Sequence, residues 1–179
     1  MRVSVLGSGD ISKITKYTSL KEKDIRQAIN DIAKILVEKD AEIVIIPDRG
    51  IPVEIAKKYK ELGGRKLLGM VPVNDKRYGI RHIEPNLGML DERIEVSDWY
   101  NADGEIAASG DYAVCFGLSG GILREISVLK YHYKYLSCKT KLIMFRNAMS
   151  EKLPAELEED LKGNLTYVNS VKELKELLK

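Results

Sequence analysis

Residues 110–125, GDYAVCFGLSGGILRE, constrain the fold of this chain more than any other stretch. Tyr112 to Phe116 is a short apolar run with no charge, the pattern of a parallel strand covered on both faces. Gly117 to Gly121 follows at once, with three glycines in five residues. Ile122, Ile126, Leu129 and Tyr133 then recur at helical spacing. A buried strand, a glycine turn and a helix N-terminus, in that order, are the parts of a phosphate cradle. The turn's free N–H groups and the helix dipole both favour an anion there. Ser119, Gly120, Gly121 and Ile122 are the residues whose amides would face it. Glu125 lies about one turn into the helix, on the side of Ile122 and Leu129, so its carboxylate is expected to face the cleft.

The rest of the chain repeats the strand-then-helix theme. Arg2 to Leu6 reads as the first strand, followed by a second glycine turn, Gly7-Ser8-Gly9-Asp10. Ser19-Leu-Lys-Glu22 reads as a capping box, and Ile25, Ile29, Ile32 and Leu36 make the apolar stripe of a helix to about Lys39. Glu42 to Ile46 is a β-branched strand, ended by Pro47-Asp48-Arg49-Gly50. Pro52 suits the first turn of a helix that runs to Gly63-Gly64, and Lys66 to Val71 is the next strand. Residues 72–96 are polar and broken by Gly79, Pro85 and Gly88, so they read as a long loop, functional or mobile. Arg77, Arg81, His82 and Arg93 within it could reach a phosphate. Ser97 is expected to cap a helix through Trp99, Ala102 and Ile106. After the central strand come a strand at 141–145, a short helix opened by Pro154, a strand at 165–168 and a final helix behind the capping box Ser170-Val-Lys-Glu173.

Strands alternating with helices predict an α/β fold, a doubly wound parallel sheet of the Rossmann-like kind in three α/β/α layers. In such sheets ligands bind at the carboxyl edge, where the strand order reverses. The turns holding Gly7, Ser8 and Gly9, then Asp48, Arg49 and Gly50, then Ser119 to Ile122 are expected to converge on one crevice there.

At 179 residues the chain reads as one domain, 1–179. With 44% apolar residues it can bury a core without disulfides or a metal. A net charge of +2, with no basic run and no aromatic–basic interleaving, gives no sign of a nucleic-acid partner. No apolar run reaches the length of a membrane span, and the first residues are broken too early for a signal peptide. Two isolated cysteines, Cys115 and Cys138, fit a reducing cytoplasm. The two histidines and two cysteines are too scattered for a zinc site, and no cofactor is expected.

The order of these pieces resembles the LOG-like Rossmannoid superfamily, over nearly the whole chain. That group includes the cytokinin-activating nucleoside 5′-monophosphate phosphoribohydrolases, often misnamed lysine decarboxylases, and DNA-processing protein A. Its defining element, Pro-Gly-Gly-x-Gly-Thr-x-x-Glu after a buried strand, is occupied here by Gly117-Leu-Ser-Gly-Gly-Ile-Leu-Arg-Glu125. Gly121 and Glu125 match, Ser119 stands for the second Gly, and Ile122 for the Thr. The turn Pro47-Asp-Arg-Gly50 looks like the family's earlier glycine-rich turn. Tyr100-Asn101 sits where one branch carries Arg-Asn, so Asn101 matches and the Arg does not. The resemblance implies a nucleoside phosphate as ligand, Glu125 as the catalytic carboxylate of N-glycosidic cleavage, and a homodimer through the helix bearing Tyr131, His132, Tyr133 and Tyr135. With the Thr and Arg replaced, a non-catalytic nucleotide sensor or carrier is the alternative. Gly117-Leu-Ser119-Gly-Gly121 also fits the turn of a serine hydrolase. That chemistry needs a later histidine, and His132 lies about 20 Å along the same predicted helix.

Overall fold

The computed structural model describes residues 1–179. Seven strands form one wholly parallel sheet in the order β4-β3-β2-β1-β5-β6-β7. They are β1 (Arg2–Gly7), β2 (Glu42–Ile45), β3 (Lys66–Pro72), β4 (Glu92–Val96), β5 (Tyr112–Phe116), β6 (Lys141–Phe145) and β7 (Leu165–Val168). The helices are α1 (Ile11–Tyr17), α2 (Glu22–Glu38), α3 (Ile51–Glu61), α4 (Glu84–Leu87), α5 (Trp99–Glu105), α6 (Gly120–Ser127), α7 (Leu129–Tyr135), α8 (Ala155–Asp160) and α9 (Val171–Leu177).

The expected three-layer α/β/α architecture is the one found. Alternate residues of each strand feed two cores. On one face α1, α2, α3 and α9 pack on Val3, Val5, Ile43, Ile45 and Val114. On the other α5, α6, α7 and α8 cover Leu6, Val44, Ala113, Cys115 and Leu142. Cys115 is buried as expected of a core residue, and that burial pushes its thiol pKa up. The strand order reverses between β1 and β5, whose register pairs Gly7 with Phe116. The two glycine turns predicted to be neighbours are therefore neighbours, and the crevice opens between them.

Three local expectations are corrected, and one helix is added where none was read. Residues 92–96, expected in a loop, form the edge strand β4. Its charged Glu92, Arg93 and Glu95 are exposed while Ile94 packs inward, a pattern that protects an edge from further pairing and hides the strand from an apolarity reading. A short helix, α1, follows the first turn. Asp10 caps it by accepting a 2.9 Å hydrogen bond from the Ser12 amide. The expected Ser19–Glu22 box does not cap α2. Lys21 is the N-cap, and Asp24 accepts from its amide at 3.0 Å. Ser97 likewise yields the α5 cap to Asp98, whose carboxylate accepts from the Asn101 amide at 2.8 Å. The Ser170–Glu173 box forms in part: Ser170 Oγ accepts from the Glu173 amide as read, but the Glu173 carboxylate accepts from the Asn169 amide instead of the Ser170 amide.

Candidate functional site: a cleft at the carboxyl edge of β1, β2 and β5

Three turns build one wall each of a cleft of about 650 Å³. The turn after β1 contributes Gly9 and Asp10. The turn after β2 contributes Asp48 and Arg49. The turn after β5 contributes Ser119, Gly120, Gly121 and Ile122, with Arg124 and Glu125 behind them on α6. The remaining wall, which the sequence reading left undefined, is aromatic and comes from residues 73–99.

That segment is held as a clasp rather than a free loop. The Asp75 carboxylate accepts from the amides of Arg77, Tyr78 and Trp99, at 2.8, 2.7 and 3.1 Å. These donors hold its pKa below the usual carboxylate value. The Trp99 indole N–H donates to the Gly79 carbonyl at 2.9 Å. The Asn86 amide donates to the carbonyls of Pro47 and Asp48, which ties the far end of the clasp to the turn after β2. The result sets His82 against Trp99, ring centroids 5.0 Å apart and 20° from coplanar, with both rings lining the cleft beside Tyr78. Of the four loop side chains flagged from sequence, only His82 reaches the cleft; Arg77, Arg81 and Arg93 do not line it.

The glycines differ in what they do. A Cβ on Gly7 would lie 2.7 Å from the Phe116 carbonyl oxygen and 2.9 Å from the Ile51 side chain. Gly50 has a left-handed φ of 74°, and its Cβ would fall on the Ser8–Gly9 backbone. Ser8 is buried with all its groups spent. Its amide donates to the Phe116 carbonyl, its carbonyl accepts from the Ile51 amide, and its hydroxyl bonds Asp10. Gly7, Ser8 and Gly50 thus frame the crevice from behind and do not line it. Gly120 and Gly121 are the opposite. A Cβ on Gly120 meets nothing within 4 Å, and one on Gly121 only Ser119 Oγ at 3.9 Å. Their amides have no partner in the chain, because α6 starts there and Ser119 Oγ, at 3.4 Å, caps Ile122 alone.

Glu125 lines the cleft, half-buried, and makes no hydrogen bond or ion pair, unlike the carboxylates around it. Asp10 caps α1, Asp48 lies 3.8 Å from Arg49 and 3.9 Å from His82, and Asp103 lies 3.2 Å from Arg124. Burial, helped by the negative charge of Asp103 and opposed by Arg124, pushes the Glu125 pKa up to about 8. Glu125 is therefore largely a neutral acid at pH 7 and does not repel an anion beside it. Burial also raises the pKa of Asp103, with Arg124 opposing.

Asn101 lies on α5 outside the cleft lining, its amide group spent on Ser97 Oγ and Asp98 Oδ1. Sequence reasoning missed Asp103, Trp99, Tyr78 and Lys13, all of which line the cleft. Lys13 sits on the unread α1, and Asp103 shows no pattern until α5 packs on α6. The serine-hydrolase alternative loses its base. His132 is buried on α7, its ring nitrogen 2.9 Å from the Gly104 carbonyl, and Ser119 is a helix cap.

Neither a protein-family model nor a curated protein sequence matches the chain. Solved structures do. The molybdenum cofactor binding protein of the phototrophic bacterium Rippkaea orientalis superposes with a TM-score of 0.70 at 14% identity, covering 99% of this chain and 94% of that one. The molybdenum cofactor carrier protein of Chlamydomonas reinhardtii gives 0.66 at 19% identity, covering 99% and 97%. DNA processing protein A of Helicobacter pylori gives 0.61 at 13%, covering 99% and 80%. These likenesses show the fold, a parallel α/β sheet shared with the molybdenum cofactor proteins and with DNA processing protein A.

Proposed function

We propose that residues 1–179 act as one nucleotide-binding domain. Its cleft holds a small phosphorylated ligand with a planar ring, of the class of a nucleoside 5′-monophosphate, and holding it is the function. The observation that carries this reading is the pair Gly120 and Gly121, which line the cleft at a helix N-terminus with unpartnered amides and with open space on their Cα. Unpaired donors at a positive dipole end favour a phosphate. Trp99 and His82 offer aromatic surface for the ring, a contact worth roughly 1–3 kcal/mol per base. A volume of about 650 Å³ suits a ligand of that size. Two fold relatives are named for binding or carrying the molybdenum cofactor, which agrees with a holder of small molecules. Thermal melts with the common ribonucleoside 5′-monophosphates and their nucleosides test the reading. A ligand that binds only the folded state raises the melting temperature, so at least one monophosphate should raise it more than its nucleoside does. No rise with any of them at millimolar concentration counts against it.

A second reading, hydrolysis of the N-glycosidic bond, is favoured by Glu125. An unpartnered carboxyl kept protonated near pH 7 is suited to protonate a leaving base. Release of ribose 5-phosphate by the wild type, lost in Glu125→Gln with affinity unchanged, would establish it. No release from any monophosphate leaves binding as the function. The exposed Tyr131 and Tyr135, stacked on α7 beside exposed Leu136, support the homodimer expected from sequence. His132 and Tyr133 of that helix are turned inward instead. Sedimentation of the protein, and of Tyr135→Glu, tests the dimer. The free thiols Cys115 and Cys138 support a cytoplasmic location. No helix is long and apolar enough to cross a membrane.

A further inference from the structure

We infer that Arg124 is the guanidinium that grips the ligand's phosphate, held in place for it by Asp103 and Tyr100. The inference rests on the cleft being a phosphate site and adds which side chain reads the phosphate.

Helix geometry supplies the first part. Arg124 and Glu125 are each four residues beyond a glycine, Gly120 and Gly121. Residues four apart share a helix face, so each side chain lies on the side of the glycine one turn earlier. Those glycines leave open space, and both long side chains line the cleft. Gly120, Gly121 and Arg124 therefore line the same cleft.

Two contacts fix the guanidinium. Arg124 Nη1 lies 3.2 Å from Asp103 Oδ2, and its central carbon lies 4.2 Å from the centroid of the Tyr100 ring. The first contact engages one edge of the group and the second one face. A guanidinium carries five N–H donors, and beyond this ion pair the side chain makes no hydrogen bond in the chain, so most of its donors remain free at the cleft lining. A planar fork held at two points has little rotational freedom left to lose when it meets a phosphate bidentately.

The other cations at the cleft are less suited. Arg49 is 79% exposed, with its nearest carboxylate oxygen at 3.8 Å, so it must give up solvent and order itself on binding. Lys13 lies on the opposite wall from α6 and is a point charge rather than a fork.

The same contacts also suit an Arg124 that merely bridges α5 to α6. The two accounts separate on phosphate dependence. Titration calorimetry of wild type, Arg124→Ala, Arg124→Lys and Asp103→Asn uses each ribonucleoside 5′-monophosphate with its matching nucleoside, and inorganic phosphate alone. Melts without ligand confirm that each variant is folded. For the monophosphate that binds, Arg124→Ala should weaken affinity roughly 10- to 100-fold while nucleoside affinity stays within about twofold. Arg124→Lys should recover part of the loss. Asp103→Asn should lose less than Arg124→Ala, because the guanidinium is present but less fixed. If Arg124→Ala weakens nucleoside and monophosphate by the same factor, the bridge account holds and the inference is overturned. If it weakens neither, the inference is overturned while the phosphate site survives. If the wild type prefers no phosphorylated probe, the inference falls together with the reading of the cleft.

Discussion

The turn after β1 and the turn after β5 look alike in sequence, Gly7-Ser8-Gly9 against Ser119-Gly120-Gly121, yet they are built for different work. In the first, Gly7 is required by the protein itself, while a Cβ on Gly9 would meet only the Arg49 side chain at 3.6 Å. Gly7 is pressed against Phe116 and Ile51, the Ser8–Gly9 backbone against Gly50, and every polar group of Ser8 has a partner inside the chain. In the second, nothing in the chain needs a glycine at 120 or 121, since a side chain there would meet open space. Both residues stand at the start of a helix, where glycine is a poor helix former. The contrast teaches that a glycine informs on function when the space beside it is left empty by its own protein, and on packing when that space is full.

Substitutions can break this comparison, and the largest effect belongs to the packed turn. Gly50→Ala combines a left-handed φ with a backbone clash, and should destabilise the protein by more than roughly 3 kcal/mol in urea unfolding. Gly7→Ala should cost about 1–3 kcal/mol by overpacking. Either result below about 0.5 kcal/mol would dissolve the contrast from the packed side.

Of comparable size to the Gly7 effect is the pH dependence of stability. The folded protein holds the Glu125 proton up to about pH 8, against 4.5 for a free glutamate. The stability tied to that proton is thus complete below about pH 4.5 and is lost as pH rises through about 8. Wild type should lose on the order of 2–4 kcal/mol from this group across that window, less than a fully buried acid would, because the side chain keeps some solvent contact. Glu125→Gln should flatten this part of the curve. Parallel curves for the two proteins would mean that Glu125 is not desolvated beside the open turn.

The smallest stability effect, and the sharpest contrast, belongs to Gly120→Ala. A methyl group there meets no atom, and alanine is the better helix former, so stability should change by less than about 1 kcal/mol, in the stabilising direction. The same methyl group would project into open space at a residue that lines the cleft, so monophosphate binding should weaken at least roughly tenfold. A stable variant with unchanged affinity would show that the open space is not ligand space.

Most of the fold was legible because its strands are short apolar runs separated by helices with clear stripes, as in Tyr112–Phe116 and Ile25–Leu36. What escaped was polar and local. The strand Glu92–Val96 carries edge charges, and α1 has seven residues with a single buried one, Ile14. At the site, the turn after β5 was legible because three glycines stand between a buried strand and a helix N-terminus. The aromatic wall was not. It depends on Asp75 and Asn86 folding residues 73–99 back over the cleft, through contacts spanning 24 to 39 positions that no local pattern announces. Asp103 and Tyr100 were silent for the same reason. Each acts through Arg124, more than 20 positions away.

The central claim is that the turn after β5, and not its twin after β1, holds a phosphate. Backbone amide chemical shifts, followed by NMR while a nucleoside 5′-monophosphate and then its nucleoside are titrated in, test it most directly. The Gly120 and Gly121 amides should move and saturate with the monophosphate, and move far less with the nucleoside, while Gly7 and Gly50 stay nearly still. Amides at 120 and 121 that do not respond to any monophosphate at saturating concentration, or that respond equally to the nucleoside, would contradict it.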